Sequence, residues 1–187
     1  MANKNLPTVQ ELRSGDIALK DEQNQFNVIV NMDPPKNWIK QHPTIKKVKY
    51  IPIERVEYLL TRIFINWNIE VKQVQIIANS VVVTIRLFYQ DVFSDKMLWQ
   101  DGVGAAPLQT DSGAGAIDWT HIKNDAVMKA APAAESYAIK DAAEKIGKLF
   151  GKDLNRADKI MYDSLVPNQD KHAEIFDEET INTETNE

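Results

Sequence analysis

Apolar residues recur along this chain at two spacings, one typical of helices and one typical of strands. Within residues 52–64 they fall three or four positions apart, which is the repeat of a helix with one buried face. They are Val56, Leu59, Leu60, Ile63 and Phe64. Pro52 suits the first turn, because the amide proton that proline lacks would have no helical partner there. A longer helix is predicted over residues 133–150, between Pro132 and Gly151.

Between these helices, short runs of β-branched and aromatic residues predict an antiparallel meander. Residues 69–77 and 81–89 are its first two strands, with residues 78–80 as the turn, and residues 97 to about 106 are the third. A short strand at residues 48–51 precedes the first helix. The resulting β-α-β-β-β-α order belongs to the α+β class, in which the long helix packs on an antiparallel sheet.

Changes in composition divide the chain into three parts. Residues 1–35 are polar and mixed and end in Asp-Pro-Pro, which interrupts regular structure, so we expect an N-terminal extension there. Residues 36–166 are predicted to form one domain, with a further short helix at residues 156–165. Residues 167–187 are predicted to be a mobile acidic tail, because they combine high negative charge with few apolar residues.

The 187 residues carry a formal net charge of −5, which at first argues against a nucleic-acid partner. The charge is unevenly distributed, however. Residues 168–187 contain seven acidic residues and one lysine, a net of −6, so the preceding 167 residues carry the difference, +1. Within these, residues 36–62 hold seven basic and two acidic residues, a net of +5. Such a basic stripe is either a phosphate-binding surface or simply a solvated one.

No arrangement of catalytic residues emerges from the sequence. There is no cysteine, which excludes thiol chemistry and cysteine-based zinc sites, and the three histidines lack metal-ligand spacing. Gly102 and Gly104 have no Gly-Lys-Ser/Thr after them, so no ATP site is predicted. We therefore expect a protein that is not an enzyme and needs no cofactor or metal. Because no membrane span or secretory signal is recognisable, we also expect it to be soluble and cytoplasmic.

Three segments, taken together and in order, carry a resemblance to a known family. The first is Tyr50-Ile-Pro-Ile-Glu-Arg-Val-Glu-Tyr-Leu-Leu-Thr-Arg-Ile-Phe64, followed by Trp67. The second is Asp101-Gly-Val-Gly104, and the third is the Ala-rich run of residues 133–151, which closes on Lys-Leu-Phe-Gly. They resemble the DNA-binding core of the Rad52 superfamily, in particular its small, Sak-like bacteriophage members. The resemblance covers about residues 45–155.

The resemblance implies an activity that is physical rather than catalytic. Members of this family bind single-stranded DNA with little sequence preference and anneal complementary strands in recombination and repair, without ATP or metal. Many form rings or helical filaments, in which the DNA follows a basic groove from subunit to subunit. A phage protein of this kind is expected in the cytoplasm of a bacterial host. The acidic tail then either keeps the oligomer soluble or docks on a partner, such as a single-strand binding protein or an exonuclease.

Candidate DNA-binding residues follow from the resemblance by position. Arg55 is similar in position to a groove arginine, and Lys145 and Lys148 to basic residues of the long helix that face the same groove. Glu144 departs from the family, which has a basic residue there, and an acid at this position would repel phosphate. Two further candidates, Lys140 and Lys152, are lysines either of which would compensate for this acid. The last two, Lys123 and Lys129, lie near a second, outer DNA surface of the family.

Small and aromatic residues within the three segments are expected to be structural. Gly102 and Gly104 would let a neighbouring backbone approach closely, with DNA contact as the second interpretation. Trp67 and Phe150 are expected in the core rather than stacked on bases.

Three alternatives to an annealing protein remain open. The chain could be a single-strand binder of the same fold that protects DNA ends and anneals little. It could be a structural protein whose fold only echoes the family and that binds no DNA. It could also be a metal-dependent nuclease that uses Asp91, Asp95 and Asp101, although these acids lack the spacing of a metal-binding loop and suit turns better.

Overall fold

The computed structural model describes residues 17–42, 46–115 and 118–157. The chain divides into two compact units, one formed by Asp33–Asn155 and the other by the segments before and after it. In the latter, Ile17–Val30 forms helix α1. The polar and mixed composition of this segment does not by itself predict a secondary structure. Residues of high helix propensity, including alanine, leucine, glutamate and glutamine, form the helix without a regular apolar stripe.

The unit Asp33–Asn155 contains two sheets and two α-helices among its described residues. A hairpin pairs strand β1, Lys40–Gln41, with β2, Lys49–Tyr50. Helix α2, Ile53–Phe64, follows and leads into an antiparallel meander of order β3-β4-β5. The three strands are Trp67–Ile77, Ser80–Gln90 and Met97–Pro107. Helix α3, Ala126–Glu144, packs on β4 and β5. Single 3-10 turns lie at Lys36–Trp38, Trp119–His121 and Lys148–Phe150. The predicted α+β class is confirmed.

Strand β4 is the centre of the three-stranded sheet. Every second residue is buried and the residues between are half-buried; the buried ones are Val81, Val83, Ile85, Leu87 and Tyr89. This is the period of two that places alternate side chains on opposite faces of a sheet. The run of β-branched and aromatic residues therefore supplies the sheet side of the core.

Gly102 and Gly104 on β5 bring the sheet very close to α3. A side chain at Gly102 would overlap the carbonyl oxygen of Ala138, and one at Gly104 would overlap that of Ala134. The helix presents small residues at four-residue intervals to this surface, all of them buried: Ala130, Ala134, Ala138 and Ala142. Small residues on both sides thus set a short distance between helix and sheet. The expected role of the glycines in close backbone approach is confirmed.

Helix α2 buries most of its predicted apolar stripe, with Pro52 as its N-cap. The Phe64 ring centroid lies 4.7 Å from that of Tyr89 and 6.5 Å from that of Phe150. Phe150 is a core residue, as expected. Trp67 is half-buried at the margin of the core, and its Nε1 donates a hydrogen bond to Thr61 Oγ1 at 3.0 Å.

Helix α3 differs from the prediction at both ends. It begins at Ala126 and includes Pro132, because alanines buried on both sides of the proline compensate for the hydrogen bond that proline cannot donate. It ends at Glu144, and a separate 3-10 turn follows after Gly147. Lys148, predicted on the helix, therefore lies beyond its end. Gly151, with a φ of 107°, ends the 3-10 turn rather than the helix.

Two predicted segments fall largely or wholly outside the described residues. The helix expected at residues 156–165 can be compared only at Arg156 and Ala157, which are not helical. The acidic tail at residues 167–187 lies entirely outside. Across the described ranges, no helix is both long and apolar enough to span a membrane.

Candidate nucleic-acid interface

A groove runs between α3 on one side and the β1–β2 hairpin with the first turn of α2 on the other. It consists of two adjoining depressions of about 640 Å³ and about 370 Å³. Tyr50, Tyr137 and Lys140 line both depressions, and we call the whole feature the Lys140 groove. The short spacing between two elements in the sequence explains why one continuous wall forms opposite α3. Strand β2 ends at Tyr50 and Pro52 caps α2, so hairpin and helix are joined by almost no linker.

Lys140 lies between two aromatic rings at the centre of the groove. Its Nζ is 5.0 Å from the ring centroid of Tyr50 and 4.6 Å from that of Tyr137, distances at which the face of a ring attracts a cation. Partial burial lowers the pKa of Lys140, and the nearby carboxylates of Glu144 and Glu54 oppose that shift. Of the seven basic candidates proposed from the sequence, Lys140 is the one that the structure places on the groove lining.

Two further lysines, Lys40 and Lys49, lie on the hairpin wall of the groove. Lys40 pairs across the hairpin with Tyr50, and Lys49 precedes Tyr50 in β2. Asn155 fixes the hairpin, because its Oδ1 accepts the Lys49 amide and its Nδ2 donates to the Lys49 carbonyl, both at 2.8 Å. The sequence marks these lysines only as members of the basic stripe. The aromatic residue next to Lys49, Tyr50, is the sequence signal that could have identified this hairpin as part of a nucleic-acid-binding surface.

Arg55 occupies the first turn of α2, directly after Ile53 and Glu54, which line the groove. Its guanidinium lies 5.2 Å from the ring centroid of Trp38, and Trp38 is buried. Arginine readily stacks on aromatic faces in this way. Arg55 thus lies beside the groove, with an orientation set by a core tryptophan.

Lys145 has two contacts within the protein. Its Nζ donates a hydrogen bond to the carbonyl oxygen of Asp101 and pairs with Asp141 Oδ2 at 3.0 Å. Asp141 also accepts the Val103 amide at 3.0 Å. The two side chains therefore tie α3 to the outer edge of β5 and cap backbone groups that an edge strand would otherwise expose. The Lys145 side chain is still 46% exposed.

Lys148 is the candidate whose position differs most from the expectation of a groove-facing helix residue. It is 5% exposed, and its Nζ lies 3.4 Å from Asp33 Oδ1. A buried ammonium requires an anionic partner of this kind. A phosphate would therefore reach Lys148 only after a local rearrangement.

Lys152 is half-buried and lies between Phe150 and Asn155, both of which line the groove.

Lys123 and Lys129 lie near the other end of α3, and both are exposed. Lys129 Nζ is 2.6 Å from Asp125 Oδ2, and this hydrogen bond lowers the pKa of Asp125. Lys129 and Lys140 are separated by about 16 Å along the helix axis, given the rise of a helix. Lys123, which precedes the helix, and Lys129 thus lie outside the lining of the Lys140 groove.

The three aspartates of the nuclease hypothesis have other partners. Asp101 accepts two hydrogen bonds from Arg86, at 2.7 and 2.8 Å, and these bonds lower its pKa. Arg86 also stacks on Trp99, with its guanidinium 3.9 Å from the ring centroid. Asp91 accepts the Ser94 hydroxyl at 2.7 Å within the β4–β5 turn, and Gln90 donates a hydrogen bond to Asp95 at 3.4 Å. In the described part of the chain, no three His, Cys, Asp or Glu residues are grouped to hold a metal ion.

Lysines and tyrosines that share a groove offer charge for phosphates and rings for bases, two features that proteins use to bind nucleic acids. The family model of Rad52/22 family double-strand break repair proteins matches residues 23–172. The chain belongs to this family, so the resemblance to the Rad52 superfamily is confirmed at the level of the family. Its function thus lies in DNA repair and recombination, in a family of annealing proteins rather than catalysts. A search of curated proteins found no match.

Proposed function

We propose that the protein binds single-stranded DNA in the Lys140 groove and anneals complementary strands without ATP. The observation that carries this proposal is the interleaving of Lys40, Lys49 and Lys140 with Tyr50 and Tyr137 in one groove. Family membership supports a role in recombination. The resemblance to small phage proteins supports the proposal that the protein is encoded by a phage.

Annealing makes two physical demands on such a groove. The phosphates of two strands must be screened so that the strands can approach, and the bases must remain accessible so that they can test pairing. Lysines on the walls meet the first demand, while a groove, unlike an enclosed pocket, leaves the bases accessible. Stacking on tyrosine contributes about 1–3 kcal/mol per base without strong sequence preference. No bond is made or broken, so ATP is not required.

The basic residues then have different roles. Lys140, Lys40 and Lys49 contact phosphates along the groove, and Arg55 and Lys152 extend this contact at its margins. We further propose Lys123 and Lys129 as a separate, outer DNA contact. Lys145 and Lys148 stay predicted DNA contacts, and both already have partners within the protein.

We also propose that copies of the chain assemble through β3 into a ring or filament. Val71, Val74 and Ile76 lie on the same sheet face as the buried residues of β4, yet they are 47%, 58% and 51% exposed. They are exposed because α3 covers β4 and β5 on this face rather than β3. A second copy would bury this apolar strip, and repetition of a head-to-tail contact generates a ring or a filament.

The division into a DNA-binding domain at residues 36–166 and a tail at residues 167–187 stays a prediction. So does the proposed docking of the tail on a single-strand binding protein or an exonuclease.

DNA binding in the groove is tested by fluorescence anisotropy with a labelled oligothymidine. The double variant Lys49→Ala, Lys140→Ala should weaken binding at low salt by about tenfold, since two phosphate contacts are lost, and should reduce the salt dependence. Lys72→Ala is the matched control, because Lys72 lies on β3 and pairs with Glu70 at 3.1 Å. Equal affinities for the double variant and the wild type would refute the assignment of the groove.

A further inference from the structure

The hairpin wall of the Lys140 groove is a small element that needs support from outside itself. Its strands β1 and β2 are two residues long each. A two-stranded hairpin is marginally stable in water on its own. The hairpin nevertheless carries Lys40 and Lys49, two of the three lysines that line the groove, together with Tyr50. Whatever holds the hairpin therefore sets the position of these groups relative to Lys140.

The side chain of Asn155 takes the place of a neighbouring strand beside β2. The His42 amide donates a hydrogen bond to the Val48 carbonyl across the hairpin at 2.7 Å, so this carbonyl points towards β1. Since successive residues of an extended chain direct their backbone groups to opposite sides, the N–H and C=O of Lys49 point away from β1. Asn155 Oδ1 accepts this N–H and Asn155 Nδ2 donates to this C=O, both at 2.8 Å. We call these two hydrogen bonds the Asn155 bracket.

Asn155 follows a segment that is anchored in the core of the domain. The 3-10 turn before it buries Leu149 and Phe150 almost completely. A tight turn comes next, in which the Leu154 amide donates to the Gly151 carbonyl at 3.1 Å. The Asn155 bracket thus connects the hairpin to the packed core rather than to another surface loop.

We propose that Asn155 is a positioning residue for DNA binding, which holds β2 so that Lys40, Lys49 and Tyr50 face Lys140 across the groove. This inference rests on the proposed DNA-binding function of the groove. Asn155 acts through the backbone of Lys49 and not through a contact of its own with DNA. Without the bracket the hairpin would occupy other positions as well. The apparent affinity would then fall with the fraction of molecules in which the groove is formed.

The test measures the affinity of the full chain for a labelled oligothymidine by fluorescence anisotropy. Asn155→Ala removes both hydrogen bonds and should weaken binding at low salt about fivefold, since the net contribution of such bonds is modest. The melting temperature should stay unchanged, because both bonds lie at the exposed surface. Asn68→Ala is the matched control. It removes an exposed carboxamide from β3 and should bind like the wild type.

Hydrogen exchange followed by mass spectrometry distinguishes positioning of the hairpin from a general structural role. Asn155→Ala should speed exchange in peptides that cover β2, while exchange in β4 and α3 should remain as in the wild type. Faster exchange throughout the domain, together with a lower melting temperature, would overturn the proposal, since Asn155 would then stabilise the whole fold.

Action through the hairpin is separated from direct contact with DNA by repeating Asn155→Ala in a Lys40→Ala, Lys49→Ala background. The bracket persists in that background because it involves only the backbone of Lys49. Positioning predicts that the fivefold effect falls to about twofold there, since Tyr50 alone remains to be positioned.

Two results would contradict this role of Asn155 while leaving the proposed function intact. One is an effect of Asn155→Ala that persists in full without the two hairpin lysines, which would mean that Asn155 contacts DNA directly. The other is wild-type affinity of Asn155→Ala in a protein that binds DNA. A wild type that binds no DNA would instead refute the proposed function and this inference with it.

Discussion

Lys140 is a lysine whose charge depends on its surroundings. Burial lowers its pKa from the ordinary value of 10.5, and the rings of Tyr50 and Tyr137 contact its ammonium. Charged Lys140 is thus less favourable in the folded than in the unfolded chain. The contribution of Lys140 to the stability of the folded chain therefore becomes more favourable as the pH rises from its lowered pKa to the ordinary pKa. Phosphate binding has the opposite pH dependence, because it needs the protonated amine.

We therefore expect affinity for single-stranded DNA to fall as pH rises towards the lowered pKa of Lys140, at pH values below 10.5. Lys140→Arg should retain affinity over this range, because a guanidinium stays protonated. Anisotropy titrations from neutral to moderately alkaline pH measure this difference, with Lys72→Arg as the control. Parallel profiles for the wild type and Lys140→Arg would show that Lys140 does not carry the effect.

The sequence allows single residues of the site to be proposed, but it does not predict which side chains surround them in the folded protein. Arg55 could be proposed from family position, and Lys140 only as a lysine that would compensate for Glu144. Tyr50 and Tyr137 could not be paired around Lys140, because they come together only when a hairpin of two-residue strands folds against α3. For Lys148 the difficulty was to predict where the helix before it ends. Its surroundings depend on where α3 ends, and the apolar pattern continues past that end through Leu149 and Phe150.

Whole elements were predictable where one periodic pattern dominates. Strand β4 alternates strictly and α2 carries a clear stripe, so both appear within a residue or two of their predicted bounds. Helix α3 was placed too late along the chain because Pro132 usually opens a helix. The spacing of buried alanines on both sides of the proline is the signal that outweighs it, and its meaning becomes clear only opposite Gly102 and Gly104.

The contact between α3 and β5 makes a direct prediction about stability. Gly102→Ala should destabilise the fold by about 1–3 kcal/mol, because the new methyl group overlaps the Ala138 carbonyl and forces helix and sheet apart. Thermal unfolding followed by circular dichroism measures the loss. Gly115→Ala is the matched control, since a side chain there meets nothing within 4 Å. Equal melting temperatures for the two variants would mean that the helix does not approach the sheet this closely.

At the scale of the whole molecule, the two edges of the sheet differ. Asp141 and Lys145 cap backbone groups on the outer edge of β5, whereas β3 has a register shift between Val71 and Gln73 and an uncovered apolar strip. We therefore expect β3 to face the neighbouring copy in the proposed oligomer. Sequence patterns could not reveal this asymmetry, because it depends on which strands α3 covers.

The double variant Val74→Lys, Ile76→Lys should reduce the oligomer to smaller species, because two charges cannot be buried in an apolar contact without partners. Size-exclusion chromatography with light scattering measures the mass. Gln75→Lys adds a charge on the opposite face of the same strand and should leave the assembly unchanged. A wild type that is already monomeric, or a double variant of unaltered mass, would refute assembly through β3.

The central claim, annealing without ATP in the Lys140 groove, is tested most directly by the rate at which two complementary labelled oligonucleotides pair. The account predicts that the wild type accelerates pairing without ATP, that added salt suppresses the acceleration, and that Lys49→Ala, Lys140→Ala abolishes it while Lys72→Ala does not. Binding without acceleration would favour the end-protecting alternative. A wild type that neither binds nor anneals at low salt would contradict the account.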